Sequence, residues 1–361
     1  MAPAGTARHA PALIVIHSVI HKDRNMNGKV RGIFCPHVVP LDSSGAINET
    51  ELRRLIDFLI GAGISGLYPN GSTGEFTRCT YEERRRIVEI VCEQARRAGR
   101  DVPVLAGAYE AHIDRTVDTL NYFADLGVRA GALIAPYYYP MSQPNIRAYF
   151  EEVAERSRIE ILVYNIPQFS NEIAVETLVT LAAHPRIIGT KDSSRDLPRF
   201  INSMNKVRRV RPDFSFLIGC EEILLPSLVM GGDGGTIASS GVVPEMIMKL
   251  YNGFLNGNLD EAVRIQYQML DLIEVMLTGA DFPEGFRAGM SVRGIDVGHG
   301  RLHRSAASQL DVENITRTIQ CLIAEHGLVE PPPGGCDVTD IDDATVRQIV
   351  TRVMAQLNGS G

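Results

Sequence analysis

Four short stretches carry side chains suited to carbonyl chemistry. The first, Arg186-Ile-Ile-Gly-Thr-Lys191, is an apolar run that ends in an amine. A lysine held among apolar neighbours at the end of a strand can attack a ketone and form a Schiff base. The second is Asn70-Gly-Ser-Thr-Gly-Glu-Phe76. Gly71 and Gly74 free its backbone, and Ser72 and Thr73 present hydroxyls and amides to a concave turn that suits a carboxylate. The third, Ala135-Pro-Tyr-Tyr-Tyr-Pro140, is a stiff aromatic loop. Its rings fit either a proton-relaying phenol or aromatic packing at an interface. The fourth, Leu162-Val-Tyr-Asn-Ile-Pro167, brings Tyr164 to a strand end, as a proton carrier or as core. Asp192 either tunes the lysine or caps the next helix, and the cap is favoured. Glu221 and Glu222 bind a polar substrate tail or open a helix. His184, His299 and His303 read as surface or structural residues. No HExxH, GxSxG or P-loop occurs. Six cysteines without CxxC or metal-ligand spacing read as reduced thiols, and no metal site is expected.

The elements that must position these groups repeat regularly. Strand patterns fall at 31–35, 64–68, 102–106, 131–135, 159–164, 187–191, 214–218 and 235–239. Helical patterns follow them at 48–62, 81–97, 113–126, 144–156, 174–183, 197–210, 221–230 and 244–256. Strands separated by helices pair in parallel. Eight such units predict an α/β fold, a (β/α)8 TIM barrel over 30–257, with its chemistry at the C-terminal strand ends. An open doubly wound sheet is the rival, but no GxGxxG follows the first strand. Further helical patterns at 259–277 and 312–325 predict a C-terminal helical appendage over 258–330. With 361 residues and 45% hydrophobic content the core is ample, and a net charge of -7 argues against nucleic acid. The apolar run at 12–20 is too short for a bilayer and poorly flanked for secretion, so residues 1–29 read as an N-terminal extension and the protein as cytoplasmic. A Pro/Gly linker opens the segment 331–361. In it Val346, Ile349, Val350, Val353, Met354 and Leu357 form one helical stripe within 337–357. That helix docks on its own barrel or a sister subunit, or serves as an address. In the second role it resembles the encapsulation peptides that tether enzymes inside bacterial microcompartments.

GSTGE, the tyrosine loop, YN-x-P and G-x-K occur here in one order and spacing. Together they resemble the dihydrodipicolinate synthase / N-acetylneuraminate lyase superfamily of class I, pyruvate-dependent aldolases, over about residues 30–328. The resemblance implies a Schiff base between Lys191 and pyruvate or another 2-oxo acid, with no other cofactor. It implies that Tyr164 shuttles protons, that Ser72 links it to a relay, and that Tyr138 completes the relay from a neighbouring subunit. Thr73, with Gly74 among the neighbouring amides, would hold the substrate carboxylate, and Gly219 and Thr236 would line the pocket. A dimer of dimers is implied too. One departure matters. The synthases carry arginine where this chain has Phe169, and Phe cannot pair with the carboxylate of aspartate semialdehyde. Ser72 in place of threonine also leans towards the lyases. The expected reaction is therefore aldol chemistry on a 2-keto-3-deoxy sugar acid, between pyruvate and a less charged aldehyde. The 4-hydroxy-tetrahydrodipicolinate synthase reaction, a dehydratase, or a non-catalytic microcompartment cargo module are the alternatives.

Overall fold

The structure is a computed structural model that describes residues 28–302 and 305–336. The segment 337–357, the first 27 residues and His303 lie outside the described residues, and so do the expectations made for them.

Eight strands run parallel: β1 Gly32–Cys35, β2 Gly66–Leu67, β3 Leu105–Gly107, β4 Ala130–Ile134, β5 Ile161–Asn165, β6 Ile187–Asp192, β7 Ser215–Ile218 and β8 Gly234–Thr236. Their order is β2-β1-β8-β7-β6-β5-β4-β3, and a parallel bridge from Leu67 to Val104 joins the two ends. The ring is a TIM barrel. Side chains alternate between its two faces. Phe34, Leu105, Ala132, Leu162, Tyr164 and Leu217 fill the inside, whereas Ile33, Cys35, Leu133 and Val163 face the surrounding helices.

Helices α1 Glu49–Gly61, α2 Tyr81–Arg97, α3 Ile113–Asp125, α4 Gln143–Arg156, α5 Val175–Ala182, α6 Leu197–Val210, α7 Leu224–Val229 and α8 Pro244–Leu255 follow the eight strands in turn. Their starts are set by local chemistry. Asn48 accepts from the Glu51 amide at the head of α1, and Thr80 and Glu83 form a reciprocal capping box on α2. Leu52, Leu55, Ile56 and Leu59 make the buried stripe of α1.

The appendage is α9 Leu259–Gln268, α10 Leu270–Thr278, α11 Glu284–Val292 and α12 Ala306–Ala324. It departs from expectation in three places. The single helix expected at 259–277 breaks at Met269, and α12 starts six residues before 312, at a Ser305 cap. Helix α11 was not expected at all. Its sequence, EGFRAGMSV, contains two glycines that lower helix propensity. Packing explains both. A Cβ at Gly289 would sit 2.8 Å from Val242, and one at Gly285 would collide with the Met276 backbone.

The reading of all cysteines as free thiols is corrected for one pair. Cys321 on α12 and Cys336 in the linker form a disulfide, with Cα atoms 5.5 Å apart. The linker folds back over α12, which a separation of 15 residues does not announce. Cys35, Cys79, Cys92 and Cys220 are free and buried.

Candidate active site

Lys191 reaches the inside of the barrel through a one-residue slip in pairing. Ile161 pairs with Ile187, but Leu162 pairs with Gly189, so Ile188 is an extra residue on β6. Because strand side chains alternate, that slip sets Lys191 beside Tyr164 on the interior face instead of Thr190. Gly189 lets β6 lie close against β7, since a Cβ there would come within 2.8 Å of Ser215. Gly219, just past β7, leaves room for the lysine itself. A Cβ at Gly219 would lie 2.9 Å from Lys191 Cε and would collide with Ser193 Oγ. Lys191 is 4% exposed. Its Nζ lies 4.1 Å from the centre of the Tyr164 ring and 4.7 Å from that of Tyr68. Among the described residues no carboxylate pairs with it. Aromatic faces thus stand where a counter-ion would otherwise be.

Three neighbouring hydroxyls escaped the sequence reading. The Tyr164 hydroxyl accepts from Ser193 Oγ at 3.4 Å, and no direct hydrogen bond joins it to Ser72. The expected Ser72–Tyr164 link is therefore not formed directly. Ser72 instead lines the cavity alongside Tyr164 and Lys191. Deeper in, Tyr68 and Tyr109 share a hydrogen bond of 2.6 Å, and the Tyr109 ring lies 6.1 Å from Tyr164. Burial, with the nearby Tyr164 phenol adding to it, pushes both phenols well above the usual tyrosine range. They are neutral hydrogen-bonding groups under any ordinary condition. Their sequence clue was position, because Tyr68 follows β2 and Tyr109 lies two residues past β3.

The Asn70–Glu75 turn supplies donors. Asn70 and Glu75 both take positive φ, 58° and 54°, bracketing the four residues between them. The amides of Ser72 and Thr73 have no hydrogen-bond partner among the described residues, and both residues line the cavity. Gly74 does not fit its expected part. Its amide donates to Gly71 O at 3.1 Å, closing the turn, so it has no free N–H for a substrate. Glu75 points the other way. Its carboxylate meets Arg287 of α11 at 3.2 Å and Arg78 at 2.5 Å, which ties the turn to the appendage. Thr236 also lines the cavity, and its Oγ1 is buried with no partner among the described residues.

Other expected residues fall elsewhere. Phe169 stands at the rim, 60% exposed. Tyr138 is 87% exposed at φ 78° and does not approach Lys191 within one chain. Tyr137 lines a neighbouring cavity, which shares Ser72, Tyr164 and Phe169 with that of Lys191. Asp192 is not the helix cap. Asp196 caps α6, accepting from the Arg199 amide at 2.8 Å. Asp192 instead accepts from the Ser194 amide and from Asn165 Nδ2, and it pairs with Arg199. Glu221 is buried in a 3-10 turn, Glu221–Ile223, that replaces the first part of the helix expected at 221–230. Its Oε1 accepts from the Ser239 amide at 2.9 Å, and burial raises its carboxyl pKa. Glu222 is more open and faces Arg195. His184 and His299 lie in turns or loops, away from the cavity. No cluster of His, Cys, Asp or Glu suited to a metal occurs among the described residues.

The model of the dihydrodipicolinate synthetase family matches residues 29–320. The chain belongs to that family. It is a lyase of class I aldolase type. A DapA-like lyase of Pyrococcus horikoshii is 28% identical over 272 residues, which are 74% of this chain and 92% of that one. The 4-hydroxy-tetrahydrodipicolinate synthase of Methanothrix thermoacetophila is 30% identical over 249 residues, 68% of this chain and 81% of that one. Among solved structures, YagE is an E. coli K12 prophage protein of the dihydrodipicolinic acid synthase family, solved in complex with pyruvate. It is 26% identical with a TM-score of 0.76, covering 81% of this chain and 98% of its own. Among the described residues no helix is long and apolar enough to cross a membrane.

Proposed function

We propose that this lyase cleaves or forms 2-keto-3-deoxy sugar acids through a Schiff base at Lys191, with pyruvate as the shared three-carbon unit and no other cofactor. The observation that carries the reading is Lys191 Nζ, buried beside the Tyr164 ring with no carboxylate partner among the described residues. The free amides of Ser72 and Thr73 take the substrate carboxylate and set the keto carbon against the amine. Attack gives a carbinolamine, and a proton delivered by Tyr164 lets its hydroxyl leave as water. The resulting iminium withdraws electrons as the C3–C4 bond breaks. Tyr164 takes the C4 hydroxyl proton, and the aldehyde departs. The remaining enamine gains a proton at C3, and water releases pyruvate and the free amine. Ser193 holds the Tyr164 hydroxyl in place meanwhile.

Phe169 supports a sugar-acid substrate over aspartate semialdehyde, because an apolar ring stands at that position in place of a cation. The test is a panel of 2-keto-3-deoxy acids, with release of pyruvate followed. Release from at least one of them is expected. Condensation of pyruvate with aspartate semialdehyde alone would overturn the reading in favour of the synthase. Phe169→Arg should raise activity with aspartate semialdehyde.

Two further parts belong to the same proposal. The exposed Tyr138 and Tyr139 rings, 87% and 74% accessible, support a dimer of dimers in which Tyr138 enters a neighbour's site. The apolar stripe in 337–357 supports a cytoplasmic enzyme addressed to a microcompartment shell. Deleting residues 331–361 should abolish co-assembly with shell proteins, and unchanged co-assembly would remove the address.

A further inference from the structure

Arg195 sits in the loop from β6 to α6 with φ at 62°, in the left-handed region that favours glycine. An arginine at such a position sits against the backbone preference, while its backbone N–H donates to the buried Cys220 thiol. Its side chain is 59% exposed and lines the same cavity as Lys191 and Phe169. Its Nε lies 3.4 Å from Glu222 Oε1, and its two Nη groups make no hydrogen bond among the described residues. The loop therefore holds a fork of free donors beside a carboxylate, at the outer end of a cavity whose inner end is the amine.

We infer that Arg195 is a specificity-determining residue that binds the distal, hydroxyl-bearing end of the substrate, and that this end is uncharged. The inference rests on the aldolase reading above and adds the chemistry of the tail. Three features set its sign. Arg195 donates and Glu222 accepts, which suits hydroxyl groups because each hydroxyl does both. The two charges offset one another, so a neutral tail leaves the pair intact. A carboxylate or phosphate held by the Nη groups would stand close to the negative charge of Glu222 and be repelled by it.

The experiment compares pyruvate condensation with glyceraldehyde, glyceraldehyde 3-phosphate and acetaldehyde in the full chain. Wild type should favour glyceraldehyde over its phosphate. Arg195→Gly removes the fork at a backbone position that glycine prefers, so folding is preserved, and thermal melting checks this. It should lower the kcat/KM ratio of glyceraldehyde to acetaldehyde about tenfold or more. Glu222→Gln should also lower that ratio. If Glu222→Gln instead raises activity with the phosphate and wild type prefers the phosphate, the tail is anionic and the inference is overturned. An unchanged ratio in Arg195→Gly overturns it as well. Borohydride trapping of pyruvate on wild-type Lys191 runs alongside. Failure to trap sinks the aldolase reading itself, whereas trapping with an unchanged ratio sinks only the role of Arg195.

Discussion

The two ends of the barrel are built from the same strands and treat charge in opposite ways. At the N-terminal end Asp233 gathers three cations, Lys29 at 2.9 Å, Arg208 at 3.1 Å and Arg31 at 3.6 Å. The Lys29 side chain is 1% exposed, and it has its carboxylate. At the C-terminal end Lys191 is equally enclosed but faces rings. Among the described residues Thr236 Oγ1 and the Ser72 and Thr73 amides lack partners there too. Backbone strain follows the same division. Among the described residues the non-glycine positions with positive φ are Asn70, Glu75, Tyr138 and Arg195, all on loops that leave the C-terminal strand ends. Such conformations cost about 1 to 3 kcal/mol each and persist where the surroundings impose them. The difference teaches where the chain accepts cost. One end pairs its buried lysine with a carboxylate, and the other leaves its buried lysine among rings and open to a ligand.

Substitutions at the two ends should therefore break different properties. The largest effect is expected for Lys191→Ala, which should lower kcat by about 10^4-fold or more because no other group can form the imine. Its melting temperature should stay within a few degrees of wild type, and a collapse of folding would blur the contrast between the ends. Tyr164→Phe comes next, with a fall in kcat of about 10^2 to 10^3-fold as the proton carrier is lost. Pyruvate binding measured by calorimetry should persist in it.

Asp233→Asn should show the reverse pattern. Removing one charge from a buried cluster leaves Lys29 enclosed without a counter-ion, at a cost of about 3 kcal/mol in unfolding free energy. Whatever folds should still react with pyruvate. A variant that melts like wild type would show that the cluster is not the anchor described.

An effect of comparable size, about 3 kcal/mol, is expected from pH. Burial pushes the His37 imidazole down to about 4 from an ordinary 6.5. Between those values the unfolded chain binds a proton that the folded chain refuses. Stability from the neutral ring is thus fully present above pH 6.5, is lost as pH falls, and is gone near pH 4. Denaturant unfolding across that window should show the slope, and His37→Gln should flatten it.

The sequence made much of this legible and hid the rest for physical reasons. Alternation of short apolar runs with amphipathic helices showed the eight units, because strand and helix periods differ so plainly. The strand ends pointed to Lys191, Tyr164, Ser72 and Thr73. Hidden were contacts between distant elements. Tyr68 and Tyr109 meet only when β2 and β3 close the ring, and the disulfide forms only because the linker turns back on α12. Asp192 looked like a cap because it precedes a helix, yet Asp196 is better placed by four residues, and Asp192 is left to brace Asn165 and Arg199. Gly74 looked free because glycines in turns often are, but a turn must close its own hydrogen bonds first. Helix α11 was invisible because glycine chosen for tight packing reads as a loop.

The most direct measurement is borohydride reduction of the full chain in the presence of pyruvate, followed by peptide mass mapping. A stable added mass is expected on the peptide that carries Lys191, and none in Lys191→Ala. No adduct, or an adduct on Lys29 or any other lysine, would contradict the central claim that the unpaired amine among the rings is the reactive one.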